Sequence, residues 1–280
     1  MTRALSLATA VALALAFSTP AAARQIIGGE QDHSQAAAGD CENFYATTFT
    51  NFGSHAEDQE QRDISLEGIA EIHVTAAQQG NLSIRGWNRS GARLVICRNA
   101  VANTMPHAAR LLELIDVRSH EGRISAAGPE MDQTQAWWVN MILYLPRRAH
   151  VDIRAANGGV AIRNMGGHVT AQTTSGGVSV AQSSGRYKIT TETGGITLDR
   201  ISGLVEAVSR DGSIALKIAG ADRPSVEART AEAGQIVCTL KRCTDAGNSG
   251  GGNVFRMGEG VPDIRLATRT ASIFIGPVTY

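Results

Sequence analysis

Hydrophobic and polar positions alternate along the middle of the chain, and this alternation returns every 18 residues. In register, residues 157–174, 175–192 and 193–210 begin NGGVAI, SGGVSV and TGGITL, and a fourth unit opens with DGSIAL at Asp211. Alternation with a period of two, with β-branched residues at the apolar positions, is typical of half-buried strands. Glycine at roughly every ninth position disfavours a helix, since each one costs up to about 1 kcal/mol in a helix interior.

Each unit therefore predicts two short strands separated by two tight turns. The inward residues of the first strand form a predicted core ladder of Val160, Ile162, Val178, Val180, Ile196, Leu198, Ile214 and Leu216. Two columns of turn glycines accompany it: Gly158, Gly176, Gly194 and Gly212 in the first turn, and Gly167, Gly185 and Gly203 in the second. Short polar residues precede the first column (Asn157, Ser175, Thr193 and Asp211), and we expect them to hydrogen-bond the backbone of their own turn.

A single unit cannot bury its apolar side chains, but stacked units can, with equivalent residues about 4.8 Å apart. The predicted fold is thus all-β, a single-stranded right-handed β-solenoid (β-helix or β-roll) with about 18 residues per rung. The right hand is the default for crossovers between parallel strands. The repeat is clear over 139–220, where the flank at 139–154 predicts Ile142, Tyr144, Val151 and Ile153 as inward residues. One short helix is expected near 107–114, and 244–253 is predicted to be a flexible insertion.

The N-terminus has the pattern of a signal peptide. Arg3 precedes an apolar run from Ala4 to Phe17, and Ala21 and Ala23 supply the small residues of a cleavage site. This predicts a signal peptide at 1–23, an N-terminal extension or loop at 24–62, and a β-solenoid domain at 63–280. No later stretch is apolar enough for a membrane helix. The expected localisation is exported, either periplasmic or secreted.

Export makes disulfides the first hypothesis for Cys41, Cys97, Cys238 and Cys243. Four cysteines allow three pairings. Cys41–Cys97 and Cys238–Cys243 are favoured, because the first would hold the N-terminal segment to a strand and the second would close a local loop. The chain has 26 basic and 26 acidic residues. That balance argues against a nucleic-acid partner, which usually selects a strong basic excess.

Several motifs together resemble the DUF4097-type "putative adhesin" family, which is related to the GIN head-domain adhesins. They are GWNR at Gly86–Arg89, GP at Gly128–Pro129, the pair Trp137–Trp138, LPRRAHVDI at Leu145–Ile153, and the NGGV, SGGV and TGGI turns. The likeness spans roughly residues 65–280. It implies a β-solenoid in an envelope or surface setting, and it brings no catalytic residues with it.

Three kinds of chemistry compete with a binding role. A trypsin-like protease is suggested by IIGG at Ile26–Gly29 and GNSGG at Gly247–Gly251, but no histidine lies in the required context and Asn248 precedes the serine. Calcium-binding turns need a regular aspartate, and the turn column offers only Asp211. A carbohydrate-active enzyme, a polysaccharide lyase or hydrolase on a β-helix, stays as the alternative, although it needs clustered carboxylates.

The sequence therefore predicts a non-catalytic, adhesin-like binding or scaffold protein of the cell envelope, with no cofactor and no metal. Its ligand, a glycan or a protein, stays unknown. Trp87, Trp137 and Trp138 are candidates for stacking on carbohydrate, with burial at a seam as the favoured alternative. Thr173, Thr174, Thr190 and Thr191 are expected to form exposed polar rows, and Lys188 and Glu206 a cross-strand ion pair.

Overall fold

The computed structural model describes Cys41 and residues 53–77, 79–232, 234–245 and 254–278. The predicted signal peptide and residues 246–253 of the predicted insertion lie outside these ranges. Within them, no helix has both the length and the apolar character needed to cross a membrane.

Strands make up most of the described chain, which confirms the all-β class. The first nine are β1 (Ser54–Ile64), β2 (Glu71–Thr75), β3 (Leu82–Trp87), β4 (Ala92–Ala102), β5 (Asp116–His120), β6 (Arg123–Ala127), β7 (Gln135–Pro146), β8 (His150–Ala155) and β9 (Val160–Arg163). The others are β10 (His168–Thr173), β11 (Val178–Thr191), β12 (Ile196–Ser209), β13 (Ile214–Ile218), β14 (Val226–Thr230), β15 (Ile236–Cys238), β16 (Val254–Met257), β17 (Ile264–Thr268) and β18 (Ile273–Pro277). Helix α1 (Met105–Glu113) lies between β4 and β5, and α2 (Lys241–Asp245) follows β15.

Two of these elements differ from the sequence prediction. Helix α1 begins at Met105 rather than at residue 107, because Pro106 is tolerated in the first helical turn, where its missing N–H has no partner to lose. Residues 54–62, predicted within a loop, belong to strand β1, which pairs with β4 over its whole length. Charged and polar residues alternate irregularly along β1 (SHAEDQEQRDI), so its sequence lacks the apolar alternation of a half-buried strand.

The strands form one mixed sheet that contains two long parallel ladders. Ladder 1 runs in the order β7, β3, β9, β11, β12, β13, β18, β15. Ladder 2 runs β6, β2, β8, β10, β11, β12, β17, β14. The long strands β11 and β12 contribute to both. Antiparallel strands extend the ends: β4 and then β1 next to β7, β5 next to β6, and β16 next to β14. A purely parallel arrangement was expected, and these additions are what make the sheet mixed.

Neighbouring strands at the centre of the ladders are offset by 18 residues. In ladder 1, Val160 pairs with Val178, Val178 with Ile196, and Ile196 with Ile214. In ladder 2, Val169 pairs with Val151 and with Tyr187, which in turn pairs with Val205. The same period thus governs both ladders between β8 and β13.

The order of strands departs from chain order towards each end. We call a segment that gives one strand to each ladder a pass. The pass β2–β3 lies between β6–β7 and β8–β9, although it precedes both in the chain. The pass β17–β18 lies between β12–β13 and β14–β15, although it follows both. A simple coil in chain order was expected, and these two insertions depart from it.

The main core fills the space between the inward sides of the two ladders. All eight predicted core-ladder residues of ladder 1 are buried there, from Val160 to Leu216. They pack in one hydrophobic cluster with the inward residues of ladder 2, which include Val151, Ile153, Tyr187 and Ile189.

A second, smaller core lies on the other side of β7. Ile142 and Tyr144 belong to it, together with Cys41, Trp87, Val95 and Cys97. They therefore do not point into the main core as predicted, and Met141, Leu143 and Leu145 occupy that position instead. Strand β7 is buried on both faces: one packs in the main core, and on the other Ile142 and Tyr144 pack against the remaining members of the small core. A strand covered on both faces has no polar face, so alternation in its sequence cannot show which side faces the main core.

Both favoured disulfides are present. Cys41 is bonded to Cys97 in β4, which ties residues 56 positions apart. Cys238 at the end of β15 is bonded to Cys243 in α2, and this closes a loop over five positions. The first bond anchors Cys41 in the small core, whose other members lie in β3, β4 and β7, and the second ties the short helix to the end of β15.

Candidate functional site

The turn glycines predicted from sequence are structural residues that allow close stacking. A Cβ on Gly176, Gly194 or Gly212 would overlap the carbonyl of the glycine one pass earlier, and on Gly158 it would overlap that of Gly80. Glycine is needed throughout the first column because the backbones of neighbouring passes are in contact there. The second column meets the same obstacle, and Gly185 (φ +117°) and Gly203 (φ +96°) also have positive φ angles. The glycines of the first column are buried, and both columns shape the turns between strands.

The polar residues beside the first column connect neighbouring passes rather than closing their own turns. Ser175 donates from Oγ to Asn157 Oδ1 (2.7 Å). The Asp211 carboxylate accepts from Arg269 (3.0 Å) and from the Thr270 hydroxyl (3.1 Å), both on the inserted pass. The Arg269 guanidinium holds the pKa of Asp211 below its usual value. The turn aspartate is therefore an ion-pair partner and not part of a cation-binding turn.

A column of buried hydroxyls lines the same corner, and sequence reasoning missed it. Thr173 donates to the Gly176 carbonyl (2.6 Å), Ser209 to that of Gly194 (3.1 Å), and Thr268 to that of Gly212 (3.0 Å). Thr191 also belongs to this column and is buried, so the expected row of exposed threonines is wrong for Thr173 and Thr191. Hydroxyl residues recurring at the last position of β10, β11, β12, β14 and β17 were the signal, since a buried carbonyl at a turn needs a donor.

The three tryptophans do not form a carbohydrate platform. Trp87 and Trp137 are buried, and their indole N–H groups donate to the carbonyls of Gly91 (3.0 Å) and Pro129 (2.8 Å). Trp138 is half-buried and its ring stacks on His55 at 5.8 Å. This agrees with the alternative in which the tryptophans cover a seam.

The outer face of ladder 2 carries the most regular array of polar side chains among the described residues. Its middle column runs through Arg123, His73, Asp152, Thr170, Lys188, Glu206, Arg265, Glu227 and Arg256, one per strand. Beyond Lys188 the charges alternate strictly in sign. Opposite charges on adjacent strands stabilise a sheet modestly and also give its surface a fixed charge pattern.

The inserted pass decides which charges meet at one end of this column. Arg265 in β17 lies between Glu206 and Glu227, so these two carboxylates are not neighbours. Glu227 accepts from Arg229 (2.7 Å) and Arg256 (2.8 Å), and hydrogen bonding to Arg229 keeps the pKa of Glu227 below its usual value. This carboxylate is held ionised, with arginines as its partners.

The centre of the same face is basic. His150 and His168 lie side by side, with ring centroids 5.9 Å apart. His168 pairs in register with Arg186, and Lys188 follows two residues later on the same strand. All four side chains are exposed. No ion pair involves Arg186 or Lys188 in the described part of the chain, so the expected Lys188–Glu206 bridge is not formed although the two residues are register neighbours.

The clearly shifted pKa values of the described carboxyl groups all lie in one direction. Among the described residues, those of Glu60, Asp63, Asp132, Asp211 and Glu227 have pKa values that are clearly shifted, and all five are lowered. For four of them the largest cause is a hydrogen bond from arginine; for Asp132 it is one from Thr134. Glycoside hydrolysis requires one carboxyl whose pKa is raised. The described residues also contain no group of three or more His, Cys, Asp or Glu side chains placed to hold a metal ion.

Comparisons with known proteins give only distant structural likenesses. No family model matches the chain, and the search of curated proteins gives no match. Among solved structures, a "putative cell adhesion protein" from Clostridium sporogenes is 12% identical, covers 80% of this chain and 100% of its own, and has a TM-score of 0.42. A "putative adhesin" from Bacteroides fragilis is 12% identical over 79% of this chain and 97% of its own, with a TM-score of 0.39. A "putative lipid binding protein" from Parabacteroides distasonis is 8% identical over 79% and 97%, with a TM-score of 0.30.

Proposed function

We propose that this chain is a non-catalytic, adhesin-like binding protein of the cell envelope, exported by a signal peptide at 1–23. The mature part then comprises an N-terminal extension that begins at residue 24 and an adhesin-like domain that continues to residue 280. Because β1 begins at Ser54 and pairs with β4, the domain starts before the predicted boundary at residue 63. Its central passes act as a β-solenoid with 18 residues per turn, a geometry supported by the register from Val160 to Ile214. The sequence resemblance to the DUF4097-type adhesins supports the same role.

The observation that carries this proposal is the outer face of ladder 2. It presents one polar side chain per strand at a repeat of about 4.8 Å, on strands fixed by backbone hydrogen bonds on both sides. The inward side chains of these strands are buried in a continuous core, so the face is rigid. A rigid, regularly spaced polar surface loses little conformational entropy when it binds an extended ligand.

The carboxylates argue against the alternative, a carbohydrate-active enzyme on the same scaffold. Glu206 and Glu227 are the two carboxylates in the part of the column where charges alternate, and Arg265 lies between them. Because Glu227 is held ionised by two arginines, it is unsuited to donate a proton to a leaving group.

The test is to apply the purified mature protein to a glycan array and to whole cells, and in parallel to a panel of glycosidase and lyase substrates. Binding without turnover is expected. Turnover of any glycan that disappears in Glu227→Gln or Glu206→Gln would overturn the proposal. Arg265→Gln is the matched control, since it alters the same column without removing a carboxylate.

A further inference from the structure

The four exposed basic residues at the centre of ladder 2, His150, His168, Arg186 and Lys188, form what we call the basic stripe. His150, His168 and Arg186 occupy equivalent positions on three adjacent strands, and Lys188 extends the line on the third. With strands about 4.8 Å apart, three rows span roughly 10 Å along the ladder. The stripe is therefore linear and follows the stacking direction.

Acidic groups border the stripe without neutralising it. Glu71 is the register neighbour of His150, and Glu206 that of Lys188. Asp152, on the same strand as His150, is directed to His73 (3.4 Å) and Arg154 (3.8 Å) instead. Since the whole chain has 26 basic and 26 acidic residues, the stripe is a local segregation of charge and not part of a general basic excess.

Neutral hydrogen-bonding groups accompany the basic ones. Thr170 pairs in register with Lys188. Two residues further along each strand, Gln172 pairs with Thr190. Their side chains lie on the outer face and are exposed or half-buried. Hydroxyl and amide groups next to cations suit a ligand that has both carboxylates and hydroxyls, because each kind of group then finds a partner.

We propose that the basic stripe binds a linear acidic polysaccharide, with the carboxylates of its sugars against Arg186 and Lys188 and its hydroxyls against Thr170, Gln172 and Thr190. This rests on the proposed function and names the ligand class of the same face. A nucleic acid is the less favoured polyanion, since proteins that bind one carry a strong basic excess and this chain has none.

The test measures binding of the full mature chain to a defined oligogalacturonate at low salt. The variant Arg186→Gln/Lys188→Gln removes two charges from the stripe. The control Arg163→Gln/Lys217→Gln removes two charges from the outer side of ladder 1. We expect the first variant to bind about five- to tenfold more weakly and the control to bind as the parent does, with both melting at the parent temperature, because all four residues are surface groups.

A matched ligand separates charge from sugar shape. The same oligosaccharide with its carboxyls methyl-esterified should lose most of its affinity for the parent and should not distinguish the two variants. Equal weakening by both variants, or no binding of the acidic oligomer by the parent, would overturn the proposal. So would tighter binding of a single-stranded oligonucleotide through Arg186 and Lys188. If the protein does not bind the acidic oligosaccharide but binds neutral glycans without turnover, the proposal for the basic stripe fails and the proposed function stands.

Discussion

Glycine at the first corner is set by contact between backbones. The Cβ that a side chain would add to Gly194 points at the carbonyl of Gly176, and the same holds one pass on, where Gly212 meets Gly194. Such a contact cannot be relieved by rotating a side chain, since both partners are main chain. The spacing of neighbouring passes therefore depends on the absence of a single atom.

Gly194→Ala should destabilise the protein by about 1–3 kcal/mol, because the backbone must move apart to admit the methyl group. The free energy of unfolding from urea titration measures this loss. Gly166→Ala is the control: its Cβ would meet only ordinary contacts, the nearest at 3.5 Å from Ser184 Oγ, and it should be neutral or slightly stabilising. Equal effects of the two changes would show that the stacking contact is not what selects glycine.

Tyr187 is the largest departure from the aliphatic pattern of its column, between Val169 and Val205. Its hydroxyl donates to the carbonyl of Met165 (3.0 Å), which lies between β9 and β10. Burial raises the pKa of Tyr187 to about 12. The fold therefore favours the neutral phenol, and the stability this gives is fully present below the unfolded pKa of about 10 and is lost as pH rises towards 12.

We expect the unfolding free energy of the parent to fall between pH 10 and 12, and to fall less steeply in Tyr187→Phe. At pH 7 the variant should be about 1 kcal/mol less stable, since the Met165 carbonyl loses its donor. Urea titrations at pH 7, 10 and 11 give both quantities. Parallel curves for parent and variant would mean that Tyr187 does not titrate with unfolding.

At the scale of the strand, alternation separates two environments only one residue apart. In β11, Val178 is 2% exposed in the main core, whereas Ser179 faces solvent. Both residues pair with neighbours on two sides, Val178 with Val160 and Ile196. A charged side chain at each of these two positions therefore tests which side of the strand faces the core, and it leaves the strand pairing unchanged.

Val178→Asp should abolish cooperative unfolding or lower the stability by several kcal/mol, because an unpaired carboxylate would be placed among Val160, Val180 and Ile196. Ser179→Asp should change stability by less than about 0.5 kcal/mol. Thermal melts followed by circular dichroism distinguish the two. An unchanged melting temperature for Val178→Asp would contradict the inward assignment.

At the scale of the whole molecule, the two passes that lie out of chain order, β2–β3 and β17–β18, connect strands towards the ends of the ladders. β17 pairs with β12 and β14, and β18 pairs with β13 and β15, so this pass lies inside the stack. A coil built in chain order would place its last strands at the outside, where their removal costs only the final interface. In this protein, removal of β17 and β18 would leave the passes on both sides without a neighbour.

A chain ending at residue 258 should therefore fail to fold cooperatively, although it retains β14 to β16. The measurement is the thermal transition of the truncated protein, with Phe274→Ala in the full chain as the control for a mild change in the same pass, since Phe274 is 48% exposed. A truncated protein with a sharp transition near the parent temperature would show that the inserted pass is dispensable.

The sequence predicts which passes are neighbours in the part of the chain where each unit stacks on the unit before it. Between Val160 and Ile214 the contacts join residues 18 apart, and equivalent environments select equivalent residues, so the repeat shows the strands, their inward sides and the glycine contacts. These contacts join consecutive units of the chain and leave a periodic pattern. The disulfide pairing leaves no such pattern, and the sequence only favoured it among three possible pairings.

Three features were decided only by the tertiary structure. An alternating strand pairs equally well with any partner of the same pattern, so nothing local shows that β17 lies next to β12, and hence that Arg265 separates Glu206 from Glu227. The sequence of β7 does not show which side faces the main core, because both of its faces are buried. The left-handed corner residues Asn164, Gln182 and Arg200, with φ of 58°, 51° and 51°, recur every 18 positions, but only asparagine favours that conformation by itself. The repeating unit follows from the local pattern of residues, whereas the order in which the units stack follows from long-range packing, which imposes no local period.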